Sequence, residues 1–463
     1  MRLRTLLLAL CLPLSGWAQS PSFSHQQVAE DLAYLYQTLQ AAHYHLYAYT
    51  PQATFDSVYA AVRAAIPADS VSALQANNLF QTLTATARNG HTEVDFPVGP
   101  YVEYAYGGGT LFPLEIALED SHYYVRKNFS AVPELAPGTE ILGLDGRPMA
   151  EVLDRIWPLI SAERPYFAAA KLEALSFPRY YWRAYGPQAT FAVQVATPSG
   201  PQTYTVAAVP AIAGYEARRE EVLNAAMELR FREEAAYLNP GSFGGDLPTY
   251  QRFIDSAFAQ VVAQAPAHLI VDLRNNSGGD DAYSNYLVSY LADRPFPWCG
   301  QFALRSSAVL KAHVRQGDTT TAYSRAILSH ADGEQFPFSF PDYEPQPRAQ
   351  RYTGPVYVLV NRQSHSMAAV TAAQLQDCGW AIVVGEETGE YASLYASQFA
   401  FTLPHTGTTV RVAKGTITRL HPTATPSGVI PDLPIRDHLL DAEDEILSGL
   451  LKELTRDKMR SER

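Results

Sequence analysis

Apolar residues recur along the chain with different periods, and each change of period marks a new region. Between residues 25 and 88, leucines such as Leu32, Leu35 and Leu39 recur at steps of three and four, which predicts amphipathic helices. From about 104 to 208, short runs rich in Tyr, Phe and Val alternate with Gly and Pro. That pattern predicts strands joined by turns, interrupted by one helix.

After residue 211 the pattern changes again. Short apolar runs at residues 269–271, 356–360 and 381–384 alternate with helical patterns, which predicts an α/β core with parallel strand pairs. The chain therefore divides into five predicted segments. They are a leader (1–18), an N-terminal helical region (19–103), a β-rich domain (104–210), an α/β core (211–438) and a charged C-terminal helix (439–463).

The leader has the features of an export signal. Arg2 and Arg4 precede an apolar run over residues 6–14, and the small residues Gly16 and Ala18 stand just before Gln19. The alternative interpretation is a buried N-terminal helix. No later apolar run reaches the ~18 residues of a membrane span. We expect an exported protein, periplasmic or secreted, without stable membrane insertion.

Charge and metal-ligating residues exclude several functions. The formal net charge is -12, from 35 basic and 47 acidic side chains, and an acidic chain repels phosphate backbones. We therefore expect no nucleic-acid partner. The histidines are scattered without metal-ligand spacing, so we expect no metal and no cofactor.

Two segments that follow predicted strands could carry chemistry. After the first strand comes Asp272, and soon Gly278 and Gly279, whose backbone N–H groups could point at a ligand as in an oxyanion hole. The alternative is a tight turn. After the second strand, Ser366 opens a helix, at the positive end of its dipole, where an oxyanion is stabilised. The alternative is an N-cap, for which Ser is favoured.

Four segments in one order carry a family resemblance. They are Asp272-Leu273-Arg274-Asn275-Asn276-Ser277-Gly278-Gly279, then Ser366 with Ala368-Ala369, then Val384-Gly385-Glu386-Glu387-Thr388-Gly389, and finally Gly428-Val429-Ile430-Pro431-Asp432. In this order the chain resembles the C-terminal processing (tail-specific) and tricorn-core family of serine peptidases. The resemblance implies an α/β, crotonase-like (ClpP/crotonase) peptidase core. It also implies that the β-rich domain is PDZ-like, as residues 135–148 suggest.

The resemblance assigns roles to individual residues. It makes Ser366 the nucleophile and implies an oxyanion hole from the N–H of Gly278 or Gly279 and that of Met367. A lysine about 25 residues after the serine is the base in the processing branch, but the stretch there reads Glu390-Tyr391-Ala392-Ser393. The tricorn-like branch uses a histidine in a D-G-H-T motif. Here residues 89–92 read Asn-Gly-His-Thr, so we predict His91 as the base.

The rest of the catalytic set departs from the family. Thr425, Pro426 and Ser427 stand where tricorn-like enzymes place an acid, which leaves Glu386 and Glu387 as candidates for orienting His91. His365, His421 and Lys414, the first lysine after Ser366, are weaker candidates for the base.

Three functions fit these residues. The first is an exported serine endopeptidase that acts on unfolded or extended polypeptides. The second is a degenerate relative that binds peptides or another ligand without turnover. The third is another acyl-group enzyme, which export disfavours because acyl-CoA is cytoplasmic. Whether Ser366 is activated separates the first from the second.

Overall fold

The computed structural model of the chain describes residues 21–221, 226–232 and 234–461. The predicted leader, residues 1–18, lies outside the described residues. No helix within the described ranges is long and apolar enough to cross a membrane.

The N-terminal region is helical, as its apolar period predicts. Two of its helices begin with the same local device: Ser24 and Ser72 each accept a hydrogen bond from the backbone of a glutamine three residues on, whose side chain accepts one in return. The elements are α1 (His25–Ala42), α2 (Gln52–Ala64), α3 (Ala73–Ala85), α4 (Val98–Tyr106), β1 (Ser22–Ser24), β2 (Ser70–Ser72) and β3 (Glu93–Val94).

The middle region contains more helix than its pattern predicts. Its strands are β4 (Thr110–Leu111), β5 (Leu114–Glu119), β6 (His122–Asn128), β7 (Ile141–Leu144), β8 (Arg147–Pro148), β9 (Thr190–Val195), β10 (Gln202–Ala207) and β11 (Val209–Pro210). Three helices lie among them, α5 (Met149–Asp154), α6 (Pro165–Leu175) and α7 (Phe177–Tyr185), where we expected one. Helix α6 buries polar residues such as Lys171 and Glu173 along with apolar ones, so it lacks the amphipathic pattern by which helices are predicted.

The core alternates strands and helices. Its strands are β12 (Glu228–Arg232), β13 (Ala235–Asn239), β14 (His268–Asp272), β15 (Gln301–Arg305), β16 (Gln335–Pro337), β17 (Val356–Val360), β18 (Ile382–Gly385), β19 (Leu394–Thr402), β20 (Thr409–Thr418) and β21 (Leu433–Pro434). Its helices are α8 (Leu247–Gln264), α9 (Asp281–Ser289), α10 (Ala308–Val314), α11 (Ala322–Ser329), α12 (Met367–Asp377) and α13 (Glu445–Ser461). The α/β class predicted for this region is confirmed.

The main sheet of the described residues has the strand order β12-β13-β14-β17-β18-β21, and all neighbours except β12 and β13 run parallel. The carboxyl ends of parallel strands meet at one edge of a sheet, where ligands bind in open α/β folds. The segments after β14, β17 and β18, which contain the motifs of the family resemblance, therefore come together at this edge.

The boundaries of the hydrophobic clusters do not coincide with those of the five segments predicted from the sequence. Buried residues of α1, α2 and α3, such as Leu35 and Phe80, belong to one cluster with residues of the main sheet, such as Val271 and Val358. The middle region has a cluster of its own, which includes Leu144 from β7. Helices α1, α2 and α3 thus share a hydrophobic interior with the core, whereas the middle region packs on itself and on α4.

Candidate active site

Two loops at the sheet edge are bound to each other. We call residues 273–280, after β14, the glycine loop and residues 361–366, after β17, the serine loop. Asn275 and Asn361 exchange two hydrogen bonds, of 3.0 and 3.1 Å. The Ser364 hydroxyl donates to the carbonyl of Leu273 at 2.8 Å. These bonds fix the position of the serine loop relative to the glycine loop.

Ser366 stands directly before α12 in a conformation that few serines adopt. Its φ of 54° and ψ of -132° lie outside the regions favoured by residues with a side chain. Its side chain makes no capping hydrogen bond, although it occupies the N-cap position. The N-cap interpretation therefore fails. Backbone strain of this kind persists where the surrounding structure enforces it, and it clusters at functional sites.

The glycine loop lies against Ser366 so closely that only glycine fits. A Cβ atom on Gly278 would lie 2.5 Å from the Met367 nitrogen and 2.7 Å from the Ser366 Cβ. A Cβ on Gly279 would overlap the carbonyl oxygen of Phe243. Both glycines also have positive φ, of 80° and 142°. The missing side chains let the backbone of this loop reach the serine.

The N–H groups at this point are not equivalent. The N–H of Gly278 donates to the Asn276 side chain at 2.8 Å, so it is already engaged. Met367 is the first residue of α12, and its N–H has no acceptor within the helix. The geometry therefore favours Gly279 over Gly278 as the glycine donor that would act with Met367 on an oxyanion.

His91 and Ser366 contact the two oxygens of one carboxylate. Glu390 Oε1 lies 3.0 Å from His91 Nε2, and Glu390 Oε2 accepts a hydrogen bond of 2.6 Å from the backbone N–H of Ser366. The His91 side chain is 11% exposed and that of Glu390 is fully buried. Neither His91 Nε2 nor Glu390 Oε1 has a well-aligned hydrogen bond among the described residues, so their contact is a close ion pair.

The pair shifts both pKa values. Burial by itself would lower the pKa of His91, but the Glu390 carboxylate outweighs it, so the pKa of His91 lies above its ordinary value of 6.5. Burial would raise the pKa of Glu390, and His91 more than offsets this, so the pKa of Glu390 is lowered. The arrangement therefore favours a charged pair.

A second carboxylate, Glu163, holds the His91 loop. Its Oε1 accepts hydrogen bonds from the Asn89 side chain at 2.9 Å and from the Gly90 N–H at 2.8 Å. Burial first, and then the charge of Glu390, raise the pKa of Glu163 to about 7. Asn89 stands where the D-G-H-T motif has an acid, and Glu163, from the middle region, supplies a carboxylate to the same loop.

Glu386 and Glu387, the residues considered for orienting His91, have other partners. Glu386 Oε1 lies 3.3 Å from Arg362 Nη1. Glu387 Oε1 pairs with Arg164 at 2.8 Å and accepts a hydrogen bond from the Gly428 N–H. Glu390 occupies the place expected for them, because the chain bends at residues 389–390 and brings the Glu390 carboxylate to Ser366 and His91.

The weaker candidates for the base are also engaged elsewhere. His365 Nδ1 contacts the carbonyl of Gln363 at 3.1 Å. His421 is 75% exposed beside Asp377. Lys414 donates to the backbone oxygen of Ser397 at 2.6 Å and lies 3.0 Å from its hydroxyl oxygen.

A cavity of about 860 Å³ opens on this group of residues. Ser366, His91, Gly278, Gly279 and Met367 all line it, so the structure brings together five of the seven site residues predicted from the sequence. Helix α6 of the middle region contributes another part of the wall. The cavity thus lies where the N-terminal region, the middle region and the core meet.

Comparison with known families gives this site its context. Residues 234–435 match the model of peptidase family S41. The core of the chain is therefore similar to peptidase family S41. The matched residues include the glycine loop, the serine loop and Glu390, and the family is one of serine peptidases, as the sequence predicts. No curated protein sequence matches the chain.

Two solved structures, both of mature CPAF, share the fold of this chain. The structure of mature CPAF complexed with lactacystin has a TM-score of 0.64 at 16% identity, and covers 93% of this chain and 97% of that chain. A structure of mature CPAF alone has a TM-score of 0.59 at 16% identity, and covers 89% of this chain and 92% of that chain. The photosystem II D1 C-terminal processing protease has a TM-score of 0.44 at 18% identity, and covers 91% of this chain and 95% of that chain.

Sequence reasoning missed Glu390 and Glu163. Glu390 had a signal, since it stands in the stretch where the processing branch places its lysine. Glu163 had none, because it belongs to a segment far from every motif and is brought to Asn89 by the packing of the middle region.

Proposed function

We propose that the protein is an exported serine endopeptidase with Ser366 as nucleophile and His91 as general base. The observation that carries the proposal is Ser366 itself, strained, uncapped and facing a cavity that His91 also lines. Burial and a paired carboxylate are the usual means by which a histidine is held and tuned as a base.

In this mechanism the Ser366 oxygen attacks the peptide carbonyl carbon while His91 takes the hydroxyl proton. Because His91 Nε2 faces Glu390, the proton goes to Nδ1. The carbonyl oxygen becomes an oxyanion, which the N–H groups of Gly279 and Met367 stabilise. His91 then gives the proton to the leaving amine, and water repeats the sequence on the acyl-enzyme.

Glu390 acts through His91 and the serine backbone. Its charge stabilises the imidazolium that forms when His91 takes the proton, and its second oxygen holds the N–H of Ser366. Glu163 fixes the loop that presents His91. The set is therefore Ser366, His91 and Glu390, with Glu163 as a positioning residue.

The middle region would bring the substrate to the cavity. The middle region has a sheet with the strand order β10-β9-β7-β8. Helix α5 follows β8 in the chain, and the next α-helix, α6, lines the cavity. A PDZ-like domain captures an extended peptide by adding it as a strand. An unfolded or extended polypeptide is the substrate that this arrangement would accept.

Export is the part of the proposal that rests on the leader. Cleavage after Ala18 would give a mature chain that begins at Gln19. Mass spectrometry of the protein recovered outside the cytoplasm should find that N-terminus, and an intact Met1 there would contradict export by this signal.

Covalent labelling tests the catalytic proposal. A fluorophosphonate should label the wild-type protein at Ser366, the Ser366→Ala variant should not be labelled, and His91→Ala should be labelled slower by orders of magnitude. Ser277→Ala is the matched control, because Ser277 lies exposed in the same cavity and should leave labelling unchanged.

Two results would change the assignment. Label on Ser397, which lines the cavity beside Lys414, would move the nucleophile to that serine. Wild-type protein that takes no label, yet binds peptides as well as Ser366→Ala does, would favour a binding protein over an enzyme.

A further inference from the structure

Part of the cavity wall is built from large apolar side chains that have no role in the proposed mechanism. We call this set the aromatic wall. It comprises Trp298, Phe302, Tyr323, Phe340 and Ile417. They come from separate parts of the core: the segment before β15, β15 itself, α11, the segment after β16, and β20. The fold thus gathers four rings from distant positions at one cavity.

The aromatic wall is continuous. The ring of Phe340 lies 5.6 Å from that of Trp298, 5.2 Å from that of Phe302 and 6.0 Å from that of Tyr323, between centroids. Trp298 and Phe302 are only 5% exposed, so they form the inner layer. Phe340 and Tyr323 are half-buried. Rings fixed by edge and stacking contacts form a preorganised apolar surface.

Met367 belongs to the same hydrophobic cluster as the inner wall residues Trp298 and Phe302, and it is the neighbour of the nucleophile in the chain. It follows Ser366 directly, lines the same cavity and is 5% exposed. A peptide bound with its carbonyl carbon at Ser366 would therefore have a neighbouring side chain within reach of the apolar part of the wall.

Charged groups near the rings disfavour a charged side chain at the wall. Asp280 and Asp281 also line the cavity and would repel an acidic side chain. Lys414 Nζ lies 5.9 Å from the centre of the Tyr323 ring, so that ring already has an amine against it. A second cation at the same ring would be repelled by this amine. An apolar side chain meets neither penalty.

We infer that the aromatic wall is the binding compartment for a large apolar side chain, aromatic or long aliphatic, next to the cleaved bond. The inference rests on the proposed function and adds its substrate class. Burial of apolar surface drives the binding, and each methylene that fills such a pocket changes specificity by about 10- to 200-fold.

A matched peptide series tests the inference. Cleavage products of an unfolded protein, identified by mass spectrometry, should show Phe, Leu, Met or Tyr enriched at one position beside the cut. Peptides that differ only there should then give a kcat/KM for Phe or Leu at least about tenfold above that for Ala. Lys and Glu peptides should be poorer than Ala.

Two variants assign the preference to the wall. Phe340→Ala should lower kcat/KM for the Phe peptide about tenfold and change that for the Ala peptide less than about twofold. Phe338→Ala is the matched control. The Phe338 ring packs 4.9 Å from the Phe340 ring, but Phe338 does not line the active-site cavity. It lines a neighbouring depression of about 310 Å³, which Phe340 also borders. It should leave both values unchanged. Phe340→Leu serves if the alanine variant does not fold.

The outcomes separate the two proposals. Equal kcat/KM across the series, or a preference for Lys or Glu, overturns the compartment and leaves Ser366 as nucleophile. If no peptide is cleaved, calorimetry on Ser366→Ala still decides: the Phe peptide should bind more tightly than the Ala peptide, and Phe340→Ala should abolish the difference. Equal binding of the two peptides overturns the inference there as well.

Discussion

At the scale of single residues, the strain at Ser366 and the absence of side chains at Gly278 and Gly279 serve one geometric requirement. The serine leaves the favoured backbone region and turns into the cavity without capping its helix. The glycine loop can then approach to a distance that a Cβ atom would prevent. Each feature has an ordinary structural explanation by itself. The close approach of the serine and the glycine loop is what indicates catalysis.

Replacement of Gly278 tests this requirement. Gly278→Ala should lower kcat/KM by about 10²- to 10³-fold, the usual cost of losing an oxyanion donor, because the new Cβ pushes the loop away from Met367 and Ser366. Gly379→Ala is the control, since Gly379 has a similar φ of 70° but open space around it. It should cost about 1–2 kcal/mol of stability and no activity. If Gly278→Ala and Gly379→Ala lost the same activity, the close contact of Gly278 with Ser366 and Met367 would not be what matters.

The Glu390 carboxylate sets the pH range of activity. His91 must be unprotonated to act as base, and its pKa is raised, so activity should fall as the pH drops through a value above 6.5. In Glu390→Gln burial dominates, the pKa of His91 drops, and the acid limb should move to lower pH with reduced turnover. The pH profile of kcat/KM measures this. The control is Glu387→Gln, three residues earlier in the chain, which should leave the acid limb of the profile at the same pH.

The sequence alone points to Ser366, His91, the two glycines and Met367 as candidates, because a motif contains each of them, and all five line one cavity. It does not identify Glu390 as the partner of His91, because nothing local distinguishes three glutamates within five residues. The path of the chain after β18, with its bend at residues 389–390, determines that Glu390 is the glutamate beside His91. The sequence likewise does not show that the N–H of Gly278 already donates to the side chain of Asn276.

At the scale of elements, the strands and helices of the core follow from apolar runs, and their order places the motifs at one edge. The helices of the middle region are harder to predict, because α6 is buried on several sides. That helix matters for the site. Its Glu173 and Glu119 from β5 bind Arg362 of the serine loop at 2.8 and 2.6 Å. The middle region therefore helps to hold the loop that carries Ser366.

Arg362→Gln should destabilise the fold by about 3–5 kcal/mol near pH 8, because buried carboxylates lose their counter-charge. The loss should be smaller at pH 5, because burial raises the pKa of Glu386, another partner of Arg362, to about 7 and its carboxyl is then protonated. Urea unfolding at both pH values measures the difference. Arg252→Gln, on the exposed face of α8, is the control and should stay within about 0.5 kcal/mol. A loss that does not depend on pH would contradict the charge argument.

At the scale of the whole molecule, the proposed catalytic residues and the positioning residue Glu163 come from separate regions. His91 follows the N-terminal helices, Glu163 belongs to the middle region, and Ser366 and Glu390 belong to the core. The changes of apolar period suggest separate units, but periodicity does not reveal which units share an interior. Helix α1 packs against α10 and β20, and its Asp31 accepts hydrogen bonds from His405 and Thr406 of the core.

We therefore predict that the N-terminal helices and the core unfold together. Leu35 is fully buried in their common cluster, so Leu35→Ala should cost about 2–5 kcal/mol and speed hydrogen exchange in β14 and β17 as well as in α1. Leu144 is equally buried in the separate cluster of the middle region. Leu144→Ala should speed exchange in β7 and β9 and leave β14 protected. If Leu35→Ala speeds exchange in α1 alone, the N-terminal helices are an independent unit, and His91 is held at the serine only by local contacts.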